Sequence, residues 1–355
     1  MTSRERVLKA FHHEIPDRVP VDFSYNQDIY NRLIKHYKAK DHEELLKALQ
    51  VDFRFLWPRY TGKPLHFAKR PDRNVDPIWG FTTRWIENDS GGYWDYCDFP
   101  LEFAEVEEIE AFPVPNPDDF DYDTALEYAK ANKDMALAIG GDGNACVINS
   151  NGFLRGMEQT LIDLATDDEA GLLLAKRRTD AEFGIMERLL DKCGDYITVM
   201  RMGEDLGTQR GQFISDELYI KHIMPIHKKF VDLAKSYGKD VMMHCCGSSS
   251  WAFKYFIDMG ITVIDTLQPE AANMEPAYIK KTYGDKLAFH GCISTAGPLA
   301  YGTADDVEKN VKETLEIMMP GGGYCLSPTH QIQDNSPTEN VVRMYECVNK
   351  YGYYK

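Results

Sequence analysis

The sequence predicts an α/β protein folded as a closed (β/α)8 barrel, the TIM-barrel architecture, with an aromatic-rich insertion near its N-terminus. Three observations predict it. From about residue 133 onward, short β-rich runs alternate with helical ones, the pattern of repeated βαβ units. Another β/α stretch precedes that alternation, and 355 residues with 43% hydrophobic and 27% charged side chains suffice for one large core. The same alternation also allows an open, doubly wound sheet.

The elements follow in order. Thr2-Ser3-Arg4-Glu5 has the spacing of a capping box and opens a short helix. Residues 18–23 read as a first strand, led in by Pro16 and interrupted by Pro20. Residues 52–123 are rich in Trp, Tyr, Phe, Pro and Asp, including Trp57, Trp79, Trp85 and Trp94. They are expected to form an insertion or lid on a single decorated domain spanning 1–355. Strands are then predicted at 136–140, 196–202, 240–246, 261–267, 286–292 and 323–326. Ser215 caps a long helix, Gly260 stops the one over 251–259, and Thr303 opens a helix with Val307, Val311 and Leu315 in one apolar stripe. The last helix starts at Ser336-Pro337-Thr338-Glu339, a capping box with proline at its first helical position.

Charge and composition exclude several functions. Forty Lys and Arg against 56 Asp and Glu give a net charge of −16, which repels nucleic acid and anionic lipid. The charged start of the chain lacks an apolar signal region, and no apolar run is long enough to span a bilayer, so a cytoplasmic location is expected. Eight cysteines in that setting read as reduced thiols, some available as ligands. No Gly-x-Ser-x-Gly elbow is present, and Gly321-Gly322-Gly323 follows a helix, so it reads as a turn into a strand.

In either α/β architecture, chemistry belongs at the carboxyl ends of the strands. Those ends hold Asn149-Ser150-Asn151, Gly203-Glu204-Asp205, His244-Cys245-Cys246-Gly247, Asp265-Thr266-Leu267-Gln268, His290-Gly291-Cys292 and Ser327-Pro328-Thr329-His330. Alternation along a strand puts His244 and Cys246 on one face and Cys245 on the other. An imidazole and a thiolate that converge, joined by a third ligand from another strand end, would make a zinc site with one position open. His330 is the preferred third ligand. His290 and Cys292 repeat the same spacing, so spacing alone leaves open which pair holds metal. Of Glu204 and Asp205, one is expected to face the pocket as an acid, base or metal-linked carboxylate and the other to cap a helix. Asp265 and Gln268 are candidate polar groups of the same pocket.

Over nearly its whole length the chain resembles the uroporphyrinogen decarboxylase superfamily, and within it the cobalamin-dependent, zinc-containing methyltransferases. The resemblance rests on Arg4-Glu5-Arg6-Val7-Leu8 through Pro16-Asp17-Arg18-Val19-Pro20-Val21, Leu154-Arg155-Gly156-Met157-Glu158, Gly203-Glu204-Asp205-Leu206-Gly207-Thr208-Gln209, His244-Cys245-Cys246-Gly247, His290-Gly291, and Pro320-Gly321-Gly322-Gly323 through His330 to Pro337-Thr338-Glu339-Asn340-Val341. It implies a barrel with a deep cleft and zinc held by a His-x-Cys and a later cysteine. His244 and Cys246 match the first pair, whereas His330 stands where the last cysteine is expected, with Cys325 nearby. A histidine there removes one negative charge and makes the metal a stronger Lewis acid. The decarboxylases resemble one another in an arginine-rich motif that grips acidic porphyrin side chains; the matching residues here, Asp22-Phe23-Ser24-Tyr25-Asn26-Gln27-Asp28, contain no arginine.

The resemblance therefore implies a zinc methyltransferase that moves a methyl group between a small methylated molecule and a corrinoid (cobalamin) on a partner protein. Glu204, Asp205 and Asp265 would be its catalytic carboxylates; Asn149, Asn151, Gln209, Gln268 and His290 would contact substrate; and His244, Cys246 and His330 would hold the metal. The corrinoid is expected on a separate protein because a barrel takes up the chain, and a homodimer is left open. Metal-free decarboxylation of a porphyrinogen is the alternative enzyme, and a corrinoid-binding protein without turnover the alternative outside enzymology.

Overall fold

The computed structural model describes residues 1–88 and 91–355. Seven strands, β1 (Phe53–Leu56), β2 (Ala136–Gly140), β3 (Ile197–Gly203), β4 (Asp240–His244), β5 (Val263–Thr266), β6 (Ala288–Ile293) and β7 (Tyr324–Pro328), pair in parallel and in chain order. Residues 20–22 join the two edges. Val21 bridges Leu326 of β7, with Leu326 N–H donating to the Pro20 carbonyl at 2.9 Å, while Asp52 N–H, just before β1, donates to the Val21 carbonyl at 2.8 Å. The sheet thus curls into a TIM-barrel-like ring whose eighth position is a single bridge instead of the expected strand over 18–23. Pro20 has no N–H to donate to a ladder, which limits pairing on that edge.

Inward-facing residues alternate with outward ones as the pleat requires. Phe53, Ala136, Ala138, Val199, Met242, Val263, Ala288 and Cys325 fill the lower interior, and Val7, Ala10 and Phe11 of the helix Ser3–Phe11 complete that cluster. The capping box predicted at Thr2 and Glu5 is present and fixes the start of that helix. The outward faces pack beneath helices such as Glu169–Cys193, Met224–Ser236 and Ala304–Met318. Gly260 ends the helix Phe253–Met259 in the left-handed conformation, as its sequence predicts. The final helix, Thr338–Tyr351, begins one residue later than expected, with Pro337 at its N-cap and no side-chain cap.

Strand β1 lies inside the region expected to be an insertion. Its four residues are flanked by aromatic and proline-rich sequence, which hides so short a β run. Between β1 and β2 the chain also forms a three-stranded antiparallel sheet, Asn74–Val75, Thr82–Asn88 and Gly91–Tyr96, whose last strand carries Trp94 and Tyr96 to the barrel mouth. No helix among the described residues is long and apolar enough to cross a membrane.

One carboxylate latches the ring. Asp52 is fully buried and accepts from Arg6 Nη1 at 2.7 Å, Ser3 Oγ at 2.7 Å, Arg18 Nη1 at 2.8 Å, Arg18 Nη2 at 3.0 Å and the Val21 N–H at 2.9 Å. It ties the bottom helix, the edge segment and the start of β1 to one point. Asp52→Ala leaves the buried Arg18 guanidinium without its carboxylate, and a loss of about 3–5 kcal/mol is expected in urea unfolding. A change below about 1 kcal/mol would show that the latch contributes little.

Candidate metal centre

The upper interior of the barrel is polar. In the register of the sheet Asp265 lies opposite His244 on one side and His290 on the other. Neighbouring strands are about 4.8 Å apart, so three inward side chains at one level must meet. Asp265 Oδ2 takes His244 Nδ1 at 2.7 Å, and its Oδ1 takes His290 Nδ1 at 2.5 Å. Arg201, inward on β3, donates Nη2 to Asp265 Oδ2 at 3.0 Å and to Asp142 Oδ1 at 2.7 Å. Asp22, beyond the edge bridge, closes the floor 3.2 Å from His290 Nε2.

With Nδ1 engaged by Asp265, His244 directs Nε2 the other way, to 3.3 Å from Cys246 Sγ and 3.8 Å from Asp205 Oδ1. Asp205 is itself held: its Oδ1 accepts the Cys246 N–H at 2.9 Å and its Oδ2 accepts Asn149 Nδ2 at 2.7 Å. Strand β4 ends at His244, so Cys246 sits in the turn beyond it, where Asp205 anchors its backbone. Cys245 points into the outer core, as alternation predicts.

Ligand atoms of Asp205, His244 and Cys246 lie within 4.8 Å of one another. They form part of the wall of a cavity of about 450 Å³ at the barrel mouth, which Trp94, Tyr96 and Phe153 also line. A second acidic group, Asp142, His244 and Asp265, meets on the Nδ1 side. There the guanidinium of Arg201 already stands between the two carboxylates, so the cation that side calls for is supplied by the protein.

The expected site residues divide accordingly. Asp205, Asp265, Asn149, His290, His244 and Cys246 line the cavity. His330 lines it too, but it is exposed and stands outside the group that meets His244 and Cys246, to which Asp205 brings a carboxylate oxygen. Glu204 is buried behind the wall, accepting the N–H groups of Val147 at 2.7 Å and Ile148 at 2.9 Å at the start of the helix Ile148–Arg155. Of the adjacent acidic pair, one therefore faces the cavity and the other caps a helix. Asn151 Nδ2, on the helix Ile148–Arg155, donates to the Gly171 carbonyl of the helix Glu169–Cys193, and Gln268 Oε1 accepts the Gly247 N–H at 2.6 Å with Gln209 Nε2 at 3.4 Å; the first ties two helices, the other two tie loops, and none of the three lines the cavity.

The structure also separates the two His-x-Cys pairs. Gly291 and Cys292 have φ of 120° and 72°, which breaks alternation and turns Cys292 into the outer core while His290 stays inward. A Cβ at Gly291 would collide with the Thr266 carbonyl, so the bend requires glycine. Burial pushes the Cys292 thiol up to about 12. Cys325 lies in the apolar layer beneath the site.

Sequence reasoning missed Arg201, Asp142 and Asp22. The available signals were a lone charge inside an otherwise apolar strand and carboxylates at the ends of the first two predicted strands, 18–23 and 136–140.

Electrostatics follow from this packing. Burial would raise Asp265, but His290, Arg201 and His244 hold it well below the usual carboxylate range. Burial would also lower the two imidazoles, yet Asp142, Cys246 and Asp265 raise His244 well above its ordinary value, and Asp265 with Asp22 lifts His290 to about 9. Burial raises the Cys246 thiol, partly opposed by His244. An imidazole that keeps its proton to about 9 when folded, against 6.5 otherwise, contributes stability that is complete below about 6.5 and lost as pH rises through 9. Chelator-treated protein should therefore lose on the order of 1–3 kcal/mol across that window in urea unfolding, and His290→Asn should flatten the profile. An unchanged slope in the variant would contradict the assignment.

Residues 136–351 match the model of the uroporphyrinogen decarboxylase (URO-D) family. The chain is similar to the methylcobamide:CoM methyltransferase MtbA of Methanosarcina acetivorans, 27% identical over 194 residues that cover 49% of this chain and 54% of that protein. The chain thus spans about half the length of this curated relative. A solved structure of a methyltransferase from Methanosarcina mazei superposes with a TM-score of 0.60 over 99% of each chain at 16% identity, a likeness of fold.

Proposed function

The chain belongs to the uroporphyrinogen decarboxylase family, and we propose that it is a zinc-dependent, cytoplasmic methyltransferase moving a methyl group between a small methylated molecule and a corrinoid carried on a partner protein. The observation that carries this reading is the convergence of His244 Nε2, Cys246 Sγ and an Asp205 oxygen on one wall of the cavity. One nitrogen, one sulfur and one oxygen ligand suit zinc, and three protein ligands leave the fourth position to substrate. The methylcobamide specificity in the relative's name supports the corrinoid half of the proposal.

When bound, zinc supplies a Lewis acid that lowers the charge cost at the atom gaining or losing the methyl group. The protein's own groups do the rest. Asp265 fixes the His244 ring with Nε2 toward the cavity, the arrangement expected of a carboxylate behind a metal-binding imidazole. Arg201 pairs with both Asp265 and Asp142, so the buried Asp265 carboxylate is not left without a counter-charge. Asn149 and the Cys246 N–H hold Asp205 in place. Trp94, Tyr96 and Phe153 line the mouth of the cavity with apolar surface against which a small methylated molecule can pack. Asp205 in the third position gives the metal one thiolate in place of two, and with it a harder ligand set.

Decarboxylation of a polycarboxylate fits this cavity poorly. Arg201 is its one guanidinium among the described lining residues, and Asp142 and Asp265 already occupy it. An acidic substrate would meet Asp22, Asp142 and Asp205 without a clamp.

Elemental analysis should find zinc in the intact protein, its loss from His244→Ala and Cys246→Ser, affinity weakened at least about tenfold in Asp205→Ala, and retention in His330→Ala. Retention by both His244→Ala and Cys246→Ser would contradict the site. In a separate assay, zinc-loaded protein should accelerate demethylation of methylcobalamin by a panel of small thiol, phenol and amine acceptors. His244→Ala should slow it at least about a hundredfold. Equal rates with and without metal would defeat the proposed chemistry.

A further inference from the structure

The charges around the cavity of the metal centre are not evenly answered. Asp22, Asp142 and Asp265 surround Arg201, with oxygens 3.8, 2.7 and 3.0 Å from its guanidinium nitrogens. Arg201 is the one Lys or Arg among the described lining residues, and the Phe55 ring covers its guanidinium, 5.1 Å from the centroid. His290 keeps its proton to about 9 and lies between Asp265 and Asp22, at 2.5 and 3.2 Å. Those three carboxylates therefore face two cations. A divalent ion would be matched separately, by the Cys246 thiolate and Asp205.

The unanswered charge falls at Asp142. The side chains of Asp22 and Asp265 are 5% and 4% exposed, whereas that of Asp142 is 53% exposed where it lines the cavity. Its Oδ1 accepts from Arg201, and no donor among the described residues reaches its Oδ2. Aromatic surface stands beside it. The carbonyl of the next residue, Gly143, accepts from Ser150 Oγ at 3.5 Å, on the helix Ile148–Arg155 that carries Phe153. Phe153 stacks on Tyr96 with centroids 3.6 Å apart, and the half-exposed Trp94 lines the same cavity.

An accessible carboxylate beside aromatic faces attracts an ammonium group twice over, through its own charge and through the negative faces of the rings. An anionic substituent would meet Asp142 with Arg201 already taken. Asp142 Oδ1 also lies 3.7 Å from His244 Nδ1, one imidazole ring from the Nε2 that faces the metal position, so a short chain joins the two places. We propose that the molecule exchanging its methyl group in this cavity carries an ammonium group, held by Asp142 against the aromatic wall, a short chain away from the sulfur or oxygen that meets the metal. The inference rests on the reading of this cavity as a methyl-transfer site and adds the charge of its substrate.

Choline and its uncharged isostere 3,3-dimethylbutan-1-ol, titrated by calorimetry into the full-length, chelator-treated chain, separate the ammonium from the metal. Choline should bind at least about tenfold tighter. Asp142→Asn keeps the size of the side chain and its acceptor for Arg201, and should bring the pair within about twofold of each other. Trp94→Ala, at a half-exposed position, should weaken choline about threefold or more. Zinc-loaded protein should then bind thiocholine tighter than choline, because its sulfur reaches the metal. No choline binding, an isostere bound as well as choline, a preference that survives Asp142→Asn, or no effect of Trp94→Ala would each overturn the proposal. Thiocholine bound no tighter than choline would contradict the metal reading instead, and the choline pair would still decide the ammonium.

Discussion

The carboxylate of Asp265 is the constraint on which the rest of the site depends. It is buried at the centre of the barrel, where an unpaired charge would be prohibitive, and it is tolerated because two imidazoles and a guanidinium surround it. That arrangement settles the orientation of His244. Once Nδ1 is committed to Asp265, Nε2 must face Cys246 and Asp205, and the opening toward the cavity follows.

The barrel explains why such a network can exist. Parallel strands in register present residues from neighbouring strands at the same height, so His244, Asp265 and His290 meet although they are far apart in the chain. Below them lies an apolar layer closed by the first helix, which keeps water from the floor. The Asp52 latch holds the edge segment that carries Asp22 to that floor. Fold stability and site geometry are therefore coupled through two buried carboxylates, one below the apolar layer and one above it.

Much of this was legible in the sequence, and the exceptions have physical causes. Six of the seven strands were predicted close to their observed positions because their apolar runs are bounded by glycine and helix signals. Strand β1 was hidden by its length and aromatic flanks. Alternation correctly put His244 and Cys246 on one face and Cys245 on the other, and it correctly divided Glu204 from Asp205 without saying which was which. It failed at Cys292, where two consecutive residues of positive φ reverse the facing. Asp205, and not His330, brings a ligand atom within 4.8 Å of those of His244 and Cys246, a proximity across strands that spacing along one chain does not reveal. Arg201 escaped notice because a charge within an apolar strand has no motif; its meaning comes from the carboxylates it meets.

The central claim is that one nitrogen, one sulfur and one carboxylate oxygen, from His244, Cys246 and Asp205, hold a zinc ion with a position left to substrate. X-ray absorption at the zinc edge of the purified protein tests that claim most directly. The account predicts a single sulfur scatterer at about 2.3 Å with the remaining scatterers nitrogen or oxygen at about 2.0–2.2 Å. Two or more sulfur scatterers, or none, would contradict it.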